Sequence, residues 1–204
     1  MDFRSPVEAV IGGTRGRLLA VLAETTAPLT LRRLARLANV SPAQASRVMP
    51  QLVELGLVER SEVPPASQFV LGRENVAARF VLRLAGSREA ALEEISAAAG
   101  EIEPTPVSVI VFGSVARGEA DDQSDVDVVV IRPDDVDEDD ERWSESVDHW
   151  RRRAASITGN QVELLEVAAS EAGRKLRGRS ELWQGIKRDG ITVHGVTATE
   201  LAGT

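Results

Sequence analysis

Residues 107–118 read Val107-Ser108-Val109-Ile110-Val111-Phe112-Gly113-Ser114-Val115-Ala116-Arg117-Gly118, and after a short acidic turn the chain resumes as Ser124-Asp125-Val126-Asp127-Val128-Val129-Val130. Two apolar runs therefore flank a Gly-Ser pair, ten intervening residues and an Asp-x-Asp pair. Short runs rich in Val and Ile read as strands. In a strand, side chains at i and i+2 share a face. Asp125 and Asp127 then point the same way, while Val126, Val128 and Val130 point into a core.

The two halves imply complementary chemistry. Carboxylates on one face are hard ligands for one or two Mg²⁺ ions, which complete their shells with substrate phosphates. A metal pair about 4 Å apart activates an attacking oxygen and stabilises a leaving one. Gly113 permits close backbone approach to a ligand. Residues 114–117 are expected to open a short helix, whose free N–H groups favour an anion. The Ser114 hydroxyl adds a donor to the same phosphate. A phosphate-holding turn opposite paired carboxylates suits nucleotidyl transfer.

The stretch resembles the signature of the DNA polymerase β-like nucleotidyltransferase superfamily. Within it, the minimal nucleotidyltransferases carry the same Gly-Ser, ten residues, Asp-x-Asp pattern. Gly113, Ser114, Asp125, Asp127 and the Ala116-Arg117-Gly118 segment match residue for residue. The resemblance spans residues 87–196 and implies a third carboxylate on a later strand. Val162-Glu163-Leu164-Leu165-Glu166-Val167 supplies that strand, with Glu163 at the expected place, where the family more often has Asp. Glu166, three residues on, falls on the opposite face. The implied catalytic and metal-binding set is Asp125, Asp127 and Glu163, holding two Mg²⁺ ions. The implied contacts to ATP, or to another nucleoside triphosphate, are Gly113, Ser114, Arg117 and Ser124. Relatives of this kind act as antitoxins that transfer AMP to a tyrosine of a HEPN-type toxin. The chain has no tyrosine, so such an acceptor would lie on a partner protein. Two alternatives are a transcriptional regulator whose transferase half senses nucleotide or is inactive, and a transferase acting on a small molecule such as an antibiotic.

Reading outward, the 204 residues fit one large or two small domains. Residues 1–75 carry a net charge of +2 and residues 76–204 a net of −10. Such asymmetry argues for two domains with different partners. There is no cysteine, which excludes disulfides and thiolate metal sites, and the two histidines, His149 and His194, are too few for a His-rich zinc site. The first residues lack the basic and apolar regions of a signal peptide. No apolar run reaches the roughly 20 residues of a membrane span. A cytoplasmic protein with no membrane partner is expected.

The first third predicts three helices and a hairpin. Thr14, Thr30 and Ser41 are expected N-caps, and Ser41-Pro42 has the Ser-cap, Pro-first-turn pattern. The third helix, 43–55, stops at Gly56, and strands at 57–60 and 68–71 flank Pro64-Pro65. This arrangement resembles a winged helix-turn-helix of the bacterial regulator type. It implies operator DNA as a partner, with the third helix in the major groove. Ala45, Met49, Leu52 and Leu55 are expected in the core. Gln44, Arg47 and Gln51 face outward, where they can read adenine and guanine edges. Arg32, Arg33 and Arg36 can meet phosphates, and Pro50 is expected to kink the helix.

In the second part, seven of the eight residues 134–141 are acidic and read as a solvated loop rather than a metal cage. Trp143, Val147, Trp150 and Ala154 recur at helical spacing and read as core, with His149 outside the stripe. Arg174, Lys175, Arg177 and Arg179 form a basic cluster whose role the residues leave open. The expected class is α+β, with a winged helix-turn-helix over 1–76, a helical linker over 77–86 and a transferase domain over 87–204. Its small mixed sheet is expected to carry helices on one side.

Overall fold

The computed structural model describes residues 1–203. The chain divides into two compact units, one of residues Ser5–Ser87 and the other of Met1–Arg4 with the chain from Arg88 onward. Together they make an α+β protein.

The first unit runs α1 (Pro6–Ile11), α2 (Gly13–Ala23), β1 (Leu29–Thr30), α3 (Leu31–Leu37), α4 (Pro42–Glu54), β2 (Val58–Val63), β3 (Ala66–Leu71) and α5 (Val76–Ala85). Its three strands are antiparallel in the order β1-β3-β2. Local chemistry sets the helix starts. Thr30 Oγ1 accepts from Arg33 N–H, and Ser41 forms a full capping box with Gln44. Thr14 is no cap: it lies inside α2, which begins one residue earlier at Gly13. The helix α4 continues through Pro50 to Glu54. Leu18, Leu22, Leu34, Ala45, Met49, Leu52 and Phe69 fill the core. Leu55, expected there, is 59% exposed. It sits at the C-cap of α4, where the helical spacing no longer holds the side chain to the buried face. The 77–86 stretch lies almost wholly in α5, which packs Ala78 and Val81 into this same core.

The second unit continues with α6 (Ser87–Ala99), β4 (Ser108–Phe112), α7 (Gly113–Arg117), β5 (Val126–Arg132), α8 (Glu141–Thr158), β6 (Val162–Ala168), α9 (Ala169–Arg177), α10 (Glu181–Asp189), β7 (Ile191–Gly195) and α11 (Ala198–Gly203). Phe3 belongs to this unit's core, and the Phe3 and Arg4 N–H groups donate to Ala120 O. The sheet order is β6-β5-β4-β7, with β5 parallel to β6 and the other pairs antiparallel. The central strands are nearly continuous Val and Ile, as burial on both faces requires.

Helices cover both faces of this sheet, not one. Val109, Val111, Val128 and Val130 pack with Ile95 of α6 and with Trp143, Val147, Trp150 and Ala154 of α8. Ile110, Val129 and Ile131 pack on the other side with Leu176 of α9, Trp183 and Ile186 of α10 and Leu201 of α11. Apolar residues at both odd and even strand positions leave neither face polar enough to meet water. No helix among the described residues is long and apolar enough to cross a membrane.

Candidate active site

The Gly-Ser turn is built where β4 runs out. Phe112 is the last strand residue and the N-cap of α7. Gly113 follows at φ +69°, in the left-handed region. A side chain is excluded there twice over. The backbone disfavours it, and a Cβ would collide with Oδ2 of Asp127 and lie 3.0 Å from its Cγ. Gly118, at φ +72°, closes α7, and Glu119 N–H reaches back to Ser114 O at 2.8 Å. The Ser114 hydroxyl has no hydrogen-bond partner among the described residues.

The carboxylates arrive from the neighbouring strands. Asp125 immediately precedes β5, and Asp127 lies within it. Asp127 is opposite Phe112 across the antiparallel pair and opposite Glu163 across the parallel pair. Neighbouring strands lie about 4.8 Å apart, so Asp127 sits between the Gly113 turn and Glu163. Burial holds the Asp127 carboxyl above the ordinary carboxylate range, and the charges of Asp125 and Glu163 push the same way, against a smaller opposing effect of Arg117. None of the three carboxylates has a hydrogen bond or ion pair among the described residues. Asp127 is half-buried and Asp125 and Glu163 are exposed, which leaves their oxygens accessible as hard donors of the kind a divalent cation takes. No three His, Cys, Asp or Glu side chains among the described residues converge on one metal position. The trio is thus an open set rather than a closed cage. Mg²⁺ usually takes one or two carboxylates and completes its shell with water and phosphate.

The other expected nucleotide contacts are engaged locally. Arg117 Nε pairs with Glu119 at 2.7 Å, leaving the guanidinium half-exposed. Ser124 Oγ donates to Asp121 Oδ1 at 2.8 Å and accepts from Asp121 N–H at 3.0 Å, closing the turn before Asp125. That hydroxyl bond, the Gln123 N–H and Arg4 hold the Asp121 carboxyl below its ordinary value.

Other features resolve into packing or surface. Asp140 caps α8, Asp134 accepts from Ser170 N–H and Asp137 accepts from Asp139 N–H, so three of the acids in 134–141 are spent on local structure. His149 is exposed. Arg174 and Lys175 pair with Glu171, and Arg177 donates to Ala202 O. Glu166 pairs with Arg132 Nε at 2.8 Å on the opposite face from Glu163.

In the first unit, Arg32, Arg33, Gln44, Arg47 and Gln51 are all exposed. Gln44 Oε1 is engaged, accepting from Ser41 N–H at 2.9 Å in the capping box. Gln51 Oε1 accepts from Arg15 at 3.0 Å. The Arg47 side chain has no partner among the described residues.

Two side chains that hold the motif in place carried no signal in the sequence. Arg88 donates to the carbonyls of Val115 and Ala116, and Asn160 donates to those of Asp121 and Ser124. Their targets are backbone atoms, which no spacing rule marks.

Residues 16–62 match the family model of the IclR helix-turn-helix domain. No curated protein matches the chain. Among solved structures, a toxin–antitoxin crystallised with AMP-PNP is 19% identical over 55% of this chain and 84% of that one, with a TM-score of 0.37. A mutant of the toxin–antitoxin MntA-HpeT is 18% identical over the same shares, also at 0.37. Residues 92–199, more than half of the chain, match the family model of the nucleotidyltransferase domain, and the chain belongs to that family.

Proposed function

We propose that the protein is an Mg²⁺-dependent transferase that moves AMP from ATP to a tyrosine hydroxyl of a partner protein, an antitoxin-like activity directed at a HEPN-type toxin. The observation that carries the reading is the unpaired trio Asp125, Asp127 and Glu163 facing a Gly113 turn that is pressed against Asp127. In this reading the acceptor oxygen attacks the α-phosphorus of ATP, the bond to the bridging oxygen breaks, and pyrophosphate leaves. The hydroxyl proton passes to solvent or to the exposed Glu163. Ser114 Oγ and the backbone at Gly113 hold the triphosphate, and Arg117 lends positive charge beside it. Asp125, Asp127 and Glu163 would hold two Mg²⁺ ions, which neutralise the triphosphate and stabilise the departing charge. Catalysis by the chain itself is then positioning and charge placement.

The acceptor follows from composition together with the resemblance. With no tyrosine in the chain, tyrosine transfer requires a second protein. The helix-turn-helix unit supplies a second activity in this reading, binding to the operator of the gene itself. Arg47 contacts a base edge, and Arg32 and Arg33 contact phosphates.

Incubation with Mg²⁺ and each nucleoside triphosphate labelled at the α-phosphorus, with and without the product of the adjoining gene, tests the transfer. Label on a tyrosine of that product is the expected result. Binding of intact triphosphate with no transfer to any acceptor points instead to a nucleotide-sensing regulator.

A further inference from the structure

In each half of the Gly-Ser, Asp-x-Asp motif, a side chain from elsewhere in the unit binds a pair of backbone carbonyls. Arg88 lies in the first turn of α6. Its Nε donates to Val115 O at 2.7 Å and one terminal nitrogen to Ala116 O, both in the last turn of α7. Such terminal carbonyls lack helical partners, and a cation beside them complements the helix dipole. The Arg88 side chain is only 20% exposed, and its acidic partner is Glu89 at 3.1 Å.

Asn160 does the same for the other half. It is 6% exposed, in the turn before β6. Its Nδ2 donates to Ser124 O at 2.7 Å and to Asp121 O at 3.2 Å, and its Oδ1 accepts from Met1 N at 2.6 Å. All of its amide capacity for donation is spent on the two carbonyls that frame the turn before Asp125.

We infer that Arg88 and Asn160 are positioning residues that together set the gap between the phosphate-holding turn and the metal-binding carboxylates. The inference rests on the transfer reading above. Residues 118–125 pair with no strand, so their path is fixed by such contacts rather than by a ladder. Loosening either clamp leaves the triphosphate-binding groups present but moves them relative to Asp125 and Asp127. A misplacement of about 1 Å costs on the order of 100-fold in rate. Ground-state binding is less sensitive, because a flexible triphosphate can follow a small shift of the groups that hold it, whereas in-line attack needs one alignment.

Arg88→Lys keeps the charge and removes the fork. Asn160→Asp keeps the shape and removes both donors. In the full chain, with labelled ATP and the partner acceptor, each variant is expected to lower kcat about 10- to 100-fold with KM for ATP unchanged. Amide exchange is expected to rise over residues 113–118 in Arg88→Lys and over 121–125 in Asn160→Asp, each variant sparing the other segment. A merely structural role would instead lower the melting temperature and spread faster exchange over the whole unit. Wild-type kcat in both variants, or unchanged local exchange, overturns the inference. Should Asn160→Asp fail to fold, Arg88→Lys decides alone. If the wild-type protein transfers no label at all, the transfer reading fails, and the exchange comparison still decides whether the clamps hold the two segments.

Discussion

Gly113 and Asp127 meet so closely that no side chain fits between them. Asp127 Cγ would lie 3.0 Å from a Cβ built on Gly113, and the carboxylate oxygen would be nearer still. The tightest point of the motif therefore joins its two halves. Substituting Gly113→Ala imposes a left-handed conformation that costs an L-residue about 1–2 kcal/mol and also pushes Asp127 aside. The expected outcome is a folded protein by circular dichroism, a lowered melting temperature, and a loss of transfer on the order of 100-fold. Wild-type transfer by Gly113→Ala would show that the contact does not set the site.

Asp127 is expected to trade stability for function. Its carboxyl is held above the ordinary range chiefly by burial, then by Asp125 and Glu163. An acid raised in this way weakens the folded state once it ionises. At neutral pH in EDTA, Asp127→Asn should melt at a higher temperature than wild type. In Mg²⁺ and ATP the order should reverse, because only the wild type gains from binding. Calorimetry in the two buffers checks both signs.

The motif was legible in the sequence because its parts are contiguous and the strand period fixes their facing. The sheet's two helical layers were less legible. Apart from Ser108, Asp127 and Arg132, the positions on both faces of β4 and β5 are apolar, and such a run does not say which neighbours cover each face. Leu55 was misplaced for a related reason: its spacing continues the helix, but the helix ends there. Arg88 and Asn160 act on carbonyls 27 to 39 residues away, a relationship that exists only after folding.

In the first unit the same distinction between spacing and packing gives a stability contrast. Leu34 is fully buried, whereas Leu37 is 51% and Leu55 59% exposed. Leu34→Ala should cost about 2–5 kcal/mol. Leu37→Ala and Leu55→Ala should each stay within about 0.5 kcal/mol of wild type. Urea unfolding followed by helical signal measures all three.

The helix-turn-helix surface separates readers from supports. Arg47→Ala should weaken binding to the protein's own promoter and relax its sequence preference. Arg32→Ala should weaken binding to all sequences and reduce the salt slope by about 1. Gln44→Ala should act mainly through the lost capping box, costing about 0.3–1.5 kcal/mol of stability. Fluorescence anisotropy at several salt concentrations, beside thermal melts, distinguishes these effects.

Strand β6 carries two glutamates with opposite expected phenotypes. Glu163 is exposed, lies opposite Asp127 in the parallel register, and has no hydrogen-bond or ion-pair partner among the described residues. Glu166 faces the other layer and pairs with Arg132, whose side chain is only 11% exposed. Removing the charge of Glu163 takes nothing from the packing but deprives the carboxylate trio of a member. Removing that of Glu166 leaves a guanidinium with little water, the Val136 carbonyl and only the charge of Asp134 nearby, a loss of about 1–3 kcal/mol. Glu163→Gln should therefore abolish transfer at an unchanged or higher melting temperature. Glu166→Gln should lower the melting temperature while the folded protein keeps its transfer rate. If Glu163→Gln still transferred AMP at the wild-type rate, the third carboxylate would have to be sought elsewhere. A melting temperature unmoved by Glu166→Gln would mean that the Arg132 pair contributes nothing to holding β5 beside β6.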